Sequence, residues 1–78
     1  MLFEFSSHSL EQIKLRSSTK EIVELVINEP DEIIIEENNQ QIFQKIIEYY
    51  LFRVFVNSNK TPSIIKTVYR TSKINKYL

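Results

Sequence analysis

Residues 3–6, Phe-Glu-Phe-Ser, alternate apolar and polar, which suits a short first strand or an extended arm. The period then lengthens. Ser6, Ser7 and Ser9 offer helix caps, and Gln12 follows Ser9 at capping-box spacing, so a helix is predicted over 8–16 with Leu10 and Ile13 on its buried side. Ser18 and Glu21 form a second capping box. Ile22, Leu25 and Val26 then recur at helical spacing with Val23 and Ile27 beside them, predicting a helix over 19–28 that Pro30 ends.

Beyond Pro30 the pattern becomes one of strands. Glu32-Ile-Ile-Ile-Glu36 is a β-branched run closed by Glu37-Asn38-Asn39, and the asparagines can take the left-handed backbone that a tight turn needs. That capacity matters because the chain has no glycine. Residues 41–47 and 51–56 follow, separated by Glu48-Tyr49-Tyr50. Turn chemistry over 57–62 precedes a last strand over 63–70. Two helices followed by four strands at hairpin spacing predict an α+β domain, its helices packed on one face of a four-stranded antiparallel sheet. No repeat or linker interrupts residues 1–78, so a single domain is expected.

Composition narrows the chemistry. With 78 residues the core is modest, but twelve isoleucines and nine aromatics suffice to build one. The absence of cysteine excludes disulfides and thiolate metal sites, and the single histidine, His8, argues against a histidine zinc site. Without glycine there is neither a phosphate-binding P-loop nor a dinucleotide fingerprint. No cofactor is expected. The start of the chain lacks a signal-peptide pattern and no apolar run matches a membrane span, so a cytoplasmic protein without membrane contact is expected.

The net charge is zero but unevenly spread. Residues 1–39 hold nine acids against three bases, and residues 40–78 one acid against seven bases. Such asymmetry points either to nucleic-acid contact or to attraction between the halves across the fold.

The second half therefore holds the candidate chemistry. Lys45, Arg53, Lys66, Tyr69, Arg70, Lys73, Lys76 and Tyr77 interleave bases with aromatics. Arg53 interrupts the apolar run Leu-Phe-Arg-Val-Phe-Val, where a charge is costly unless it is paired or faces a polar side. Alternation along 63–70 sets Ile64, Lys66, Val68 and Arg70 opposite Ile65, Thr67 and Tyr69. If Ile47 lies opposite Leu51, Lys45 and Arg53 become neighbours; a one-residue slip parts them. Two cations beside a tyrosine could hold a phosphodiester and stabilise charge developing in its transition state, with the RNA 2′-hydroxyl as nucleophile. Equally, Lys45 and Arg53 could be solvated or pair with helix carboxylates. His8 could transfer protons or simply cap or pack at the start of the first helix. Tyr49 and Tyr50 suit a hairpin or an interface. Thr71 and Ser72 have no base at a recognisable spacing.

These residues also carry a resemblance. Phe5-Ser6-Ser7-His8, Arg16, Ser18-Thr-Lys-Glu-Ile-Val-Glu and Asn28-Glu-Pro-Asp-Glu-Ile33 resemble the opening of an uncharacterised bacterial family, the domain of unknown function numbered 4258. Phe43-Gln-Lys-Ile-Ile, Leu51-Phe-Arg-Val-Phe-Val-Asn57 and Thr67-Val-Tyr-Arg-Thr-Ser-Lys-Ile-Asn-Lys-Tyr77 resemble its second half. Ser17 departs from the glycine that the family commonly has there. That family is similar to RelE/ParE-type toxins of type II toxin–antitoxin pairs. The resemblance implies a RelE/ParE-like fold, a cognate antitoxin as partner, and metal-independent cleavage of mRNA, free or on the ribosome. By position it brings forward His8, Arg16, Lys45, Arg53, Tyr69, Thr71, Ser72, Lys73 and Tyr77. Catalytic roles would fall to Lys45, Arg53, Tyr69 and His8, and RNA contacts to Arg70, Lys73, Lys76 and Tyr77. The alternative is a non-catalytic module that inhibits a protein target, gyrase in some members of the superfamily, or a degenerate protein that only binds an antitoxin.

Overall fold

The computed structural model describes residues 3–15, 19–59 and 62–77. Its elements run β1 (Phe3–Phe5), α1 (Ser7–Leu15), α2 (Lys20–Asn28), β2 (Glu32–Ile35), β3 (Gln40–Ile47), β4 (Tyr50–Asn57) and β5 (Ser63–Thr71), then a single 3-10 turn over Ile74–Lys76. The α+β class stands, but the four-stranded antiparallel sheet does not. The sheet has five strands in the order β1-β5-β4-β3-β2, and β1 lies parallel to β5. The opening segment is thus a strand, paired Phe3 to Ser63 and Phe5 to Ile65. Apolar burial drives this docking, for Phe3 and Phe5 pack against the core.

Where β1 ends, α1 takes over as the neighbour of β5. The Ser6 backbone N–H donates to the Ile65 carbonyl at 3.1 Å, and Gln12 Oε1 accepts from the Val68 N–H at 2.7 Å. A helix side chain thereby satisfies a β5 donor that no strand reaches. Ser6 is also the residue whose hydroxyl accepts from Ser9 N–H, so it caps α1, while Gln12, expected in a capping box with Ser9, serves β5. Ser9 and Ile13 face inward, whereas Leu10, expected to be buried, is exposed. Thr19 caps α2 by accepting from Ile22 N–H at 3.2 Å; the expected cap Ser18 lies outside the described residues.

Both helices pack on one side of the sheet. Ile13, Val23, Val26 and Ile27 meet Phe43, Phe52, Val54, Val56, Ile65 and Val68 in one cluster. Ile65 and Val68 share that side although alternation separates them. A β-bulge between β4 and β5 pairs Phe55 with Thr67 but Val56 with Ile65, and Lys66 is the extra residue. The bulge overturns the expected grouping: Ile64, Thr67 and Tyr69 occupy the far side, and Val68 and Arg70 join Ile65 on the helix side.

The tight turns are made without glycine. Asn38 and Asn39 both take positive φ, 60° and 61°, and Gln40 N–H closes on the Glu37 carbonyl. Two consecutive positive φ angles give the turn the twist that suits the flanking strands, while Glu36 takes up the pairing with Gln40. Between β3 and β4, Glu48 takes φ 57°, a region that costs a residue with a Cβ about 1–2 kcal/mol.

Candidate functional site on the open sheet face

The two-residue turn Glu48-Tyr49 sets Ile47 opposite Tyr50 and Lys45 opposite Phe52. This is the register that parts Lys45 from Arg53. Lys45 shares the helix side with Phe52, while Arg53 lies on the far face between its neighbours Gln44 and Tyr69.

Lys45 has structural work to do on its own side. Its Nζ donates to the Glu29 carbonyl at 2.8 Å, at the C-cap of α2, and lies 3.5 Å from Asp31 Oδ1. A cation at a helix C-terminus meets the negative end of the helix dipole and an orphan carbonyl together. Asp31 Oδ2 accepts from the Ile46 N–H at 2.9 Å. That backbone hydrogen bond, seconded by the Lys45 charge, holds the Asp31 carboxyl below its ordinary range.

Arg53 anchors the far face. Its Nε donates to Gln44 Oε1 at 2.6 Å, and Gln44 Nε2 donates to Glu32 Oε1 at 3.0 Å. Gln44 is 1% exposed, and this relay satisfies both ends of its amide. The guanidinium lies 4.4 Å from the centre of the Tyr77 ring and 5.3 Å from that of Phe55, within cation–π range. Tyr77 comes from beyond the 3-10 turn. Its hydroxyl is 3.4 Å from that of Tyr69, and the two rings meet edge to face. This hydrogen bond first, and desolvation second, raise the Tyr77 hydroxyl above the ordinary tyrosine range, with Arg53 pulling the other way. Lys76 Nζ lies 5.6 Å from the centre of the same Tyr77 ring.

The remaining candidates divide between the faces. Tyr69, Tyr77, Lys76 and Arg53 come together. Lys73 is exposed in the same tail, and its backbone N–H donates to Thr71 Oγ1. Arg70 pairs with Phe52 and therefore sits on the helix side, where it lies over Tyr50 at 4.2 Å. His8 is exposed in the first turn of α1, which packs on the helix side of β5. Arg16 lies outside the described residues. Gln44 drew no attention in the sequence. A polar residue at the centre of Ile-Phe-Gln-Lys-Ile-Ile, opposite an arginine that needs a partner, was the available signal.

No known family model, curated protein or solved structure matches the chain. Among the described residues no group of acids and histidine could hold a metal ion, and no helix is long and apolar enough to cross a membrane.

Proposed function

We propose that the open sheet face binds RNA, and that the chain is the toxin of a type II toxin–antitoxin pair that cleaves mRNA without a metal. The observation that supports this best is the Arg53 guanidinium stacked on Tyr77 and tethered through Nε to Gln44, beside the Tyr69 hydroxyl. Among the described residues the Nη donors of Arg53 have no partner, which leaves them available for two phosphate oxygens. A guanidinium held by a side chain and a ring loses little freedom on gripping phosphate. Lys76 lies by the same Tyr77 ring, Lys73 is exposed in the same tail, and the tyrosine rings offer faces on which bases stack.

In cleavage, the RNA 2′-hydroxyl gives its proton to solvent water as its oxygen attacks the adjacent phosphorus, a cyclic phosphate forms, and the 5′-oxygen leaves with a proton from the acid side. Arg53 would stabilise the extra charge on the non-bridging oxygens. Tyr77, which keeps its proton at neutral pH, suits the acid side of the reaction, supporting Tyr69 as donor to the leaving oxygen. Lys45, His8 and Arg70 have no part in this version of the site, because they lie on the helix side.

The test is to induce the protein in bacterial cells and map new 5′ ends across cellular RNA. New mRNA ends that vanish in Arg53→Ala and persist in Lys45→Ala are expected. Ends that vanish only in Lys45→Ala would move the site to the helix side. Arrested growth with no new ends would replace cleavage with inhibition of a protein target.

A further inference from the structure

The strand at the other margin of the sheet, β2, presents an unfilled pairing edge. It is last in the strand order, with β3 on one side and no described strand on the other. The polarity of its backbone follows from one hydrogen bond. Glu36 N–H donates to the Gln40 carbonyl at 2.8 Å, so Glu36 and Gln40 form a hydrogen-bonded pair. Such pairs alternate along an antiparallel ladder. Ile34 with Ile42 and Glu32 with Gln44 are therefore hydrogen-bonded too, while Ile33 and Ile35, opposite Phe43 and Gln41, point their N–H and C=O groups away from the sheet.

The side chains of those same two residues are uncovered. Ile33 is 46% exposed and Ile35 77% exposed, because α2 packs on β3 and β4 and stops short of β2. Two outward backbone pairs thus lie beside two exposed isoleucines on one side of the strand. Edges are ordinarily blunted by shortness, charge, proline or a bulge, and β2 has the first two, being four residues long with Glu32 at its start and Glu36 just beyond. Here Pro30 lies outside the strand, and no bulge is recorded in the β2–β3 pairing.

Charge selects the occupant. Glu29, Glu32, Glu36 and Glu37 are exposed around this strand with no ion pair among the described residues, Asp31 beside them is matched by Lys45, and the segment 29–37 contains no base. A second copy is a poor match. The antiparallel register that pairs both isoleucines, Ile33 with Ile35 of another copy, sets Glu32 against Glu36 and Asp31 against Glu37 at both ends, where like charges destabilise a ladder. The register that avoids this, Ile35 with Ile35, leaves Ile33 opposite Glu37. The complement is an extended segment with apolar residues at alternate positions and lysine or arginine at both flanks.

We infer that β2 is a docking edge for such a basic, strand-forming segment of another protein, which adds to the sheet through Ile33 and Ile35. The inference does not rest on the RNA reading, since it uses only the outward backbone and side chains of β2 and the acids around it. Ile35→Pro gives a clean test: the N–H it deletes points outward, so the β2–β3 ladder keeps its hydrogen bonds. The probe is a fluorescein-labelled peptide of alternating valine and threonine with lysines at both ends; its control carries glutamates instead. The lysine peptide is expected to bind saturably and more weakly as salt rises, to protect the Ile33 and Ile35 amides from exchange, and to lose at least about tenfold in affinity with Ile35→Pro. Ile33→Lys, which puts a cation into the edge without touching backbone, is expected to weaken binding in the same direction. The inference is overturned if the lysine peptide does not bind, if the glutamate peptide binds equally well, or if both edge variants bind as wild type does. It is also overturned in favour of a second copy if sedimentation of the chain alone shows a dimer that Ile35→Pro abolishes.

Discussion

Single residues in this chain carry conformational and electrostatic burdens that can be measured one at a time. Glu48 holds a left-handed backbone at φ 57° with no glycine's freedom to do so. Glu48→Gly is expected to relieve that strain, less the greater entropy glycine loses on folding, for a net gain of about 0.5–1 kcal/mol. In a domain of this size that raises the melting temperature by about 2–8 °C, read by thermal denaturation. Unchanged or lowered stability would mean that the side chain contributes more than its backbone costs. Tyr77 offers a second measurement. Its hydroxyl is held above the ordinary tyrosine range, so the contact with Tyr69 contributes stability that is present at lower pH and lost as pH rises through that raised value. Tyr69→Phe is expected to bring the Tyr77 titration back toward its ordinary range, followed by NMR of its ring carbons. No change would mean that the hydrogen bond at 3.4 Å does not set the proton affinity.

At the scale of elements, the hydrogen bond that fastens α1 to β5 shows what a sequence makes legible and what it hides. Gln12→Leu removes the acceptor that satisfies Val68 N–H at 2.7 Å and is expected to cost about 1–3 kcal/mol, read by urea denaturation. A cost near zero would mean that water or a shifted backbone replaces the side chain. The two helices were legible because their apolar spacing is local, as in Ile22, Val23 and Val26. The Asn38-Asn39 turn was legible because few residues other than asparagine and glycine tolerate two consecutive positive φ angles. The parallel docking of β1 beside β5 was not, since nothing in Phe-Glu-Phe states which distant strand it joins. The candidate site failed at the same kind of point. The Lys45–Arg53 relationship turned on whether the β3–β4 loop holds two residues or three, and Glu48, an unpromising residue for a positive φ, decided it. Lys45 then proves to be a cap for α2, and Lys45→Ala should cost about 1 kcal/mol through the lost bond to the Glu29 carbonyl.

At the scale of the molecule, the opposed charges of the two halves pair only once among the described residues. The Lys45–Asp31 contact is the one ion pair among the described residues, and the nine acids before residue 40 are all exposed. The acids lie mostly on the outer surfaces of the helices and around β2, while Arg53 and Lys76 meet at Tyr77 and Lys73 is exposed in the same tail. A protein with no net charge gains little from general attraction to RNA, so binding must depend on this local cluster. Each cation that neutralises a phosphate of a single strand contributes about −0.7 to the slope of log K against log salt. Engagement of Arg53, Lys73 and Lys76 therefore predicts a slope of about −2 for a short single-stranded RNA, measured by fluorescence anisotropy over a range of potassium chloride concentrations. Lys73→Ala and Lys76→Ala should each make the slope shallower by about 0.7, and Lys45→Ala should leave it unchanged. Arg53→Ala should do more than change the slope, because Tyr77 loses the cation it stacks on and with it the rigidity of the base platform. A slope near zero, or one that responds to Lys45 and not to the tail, would remove RNA from the open face and leave the β2 edge as the surface through which this protein meets its partners.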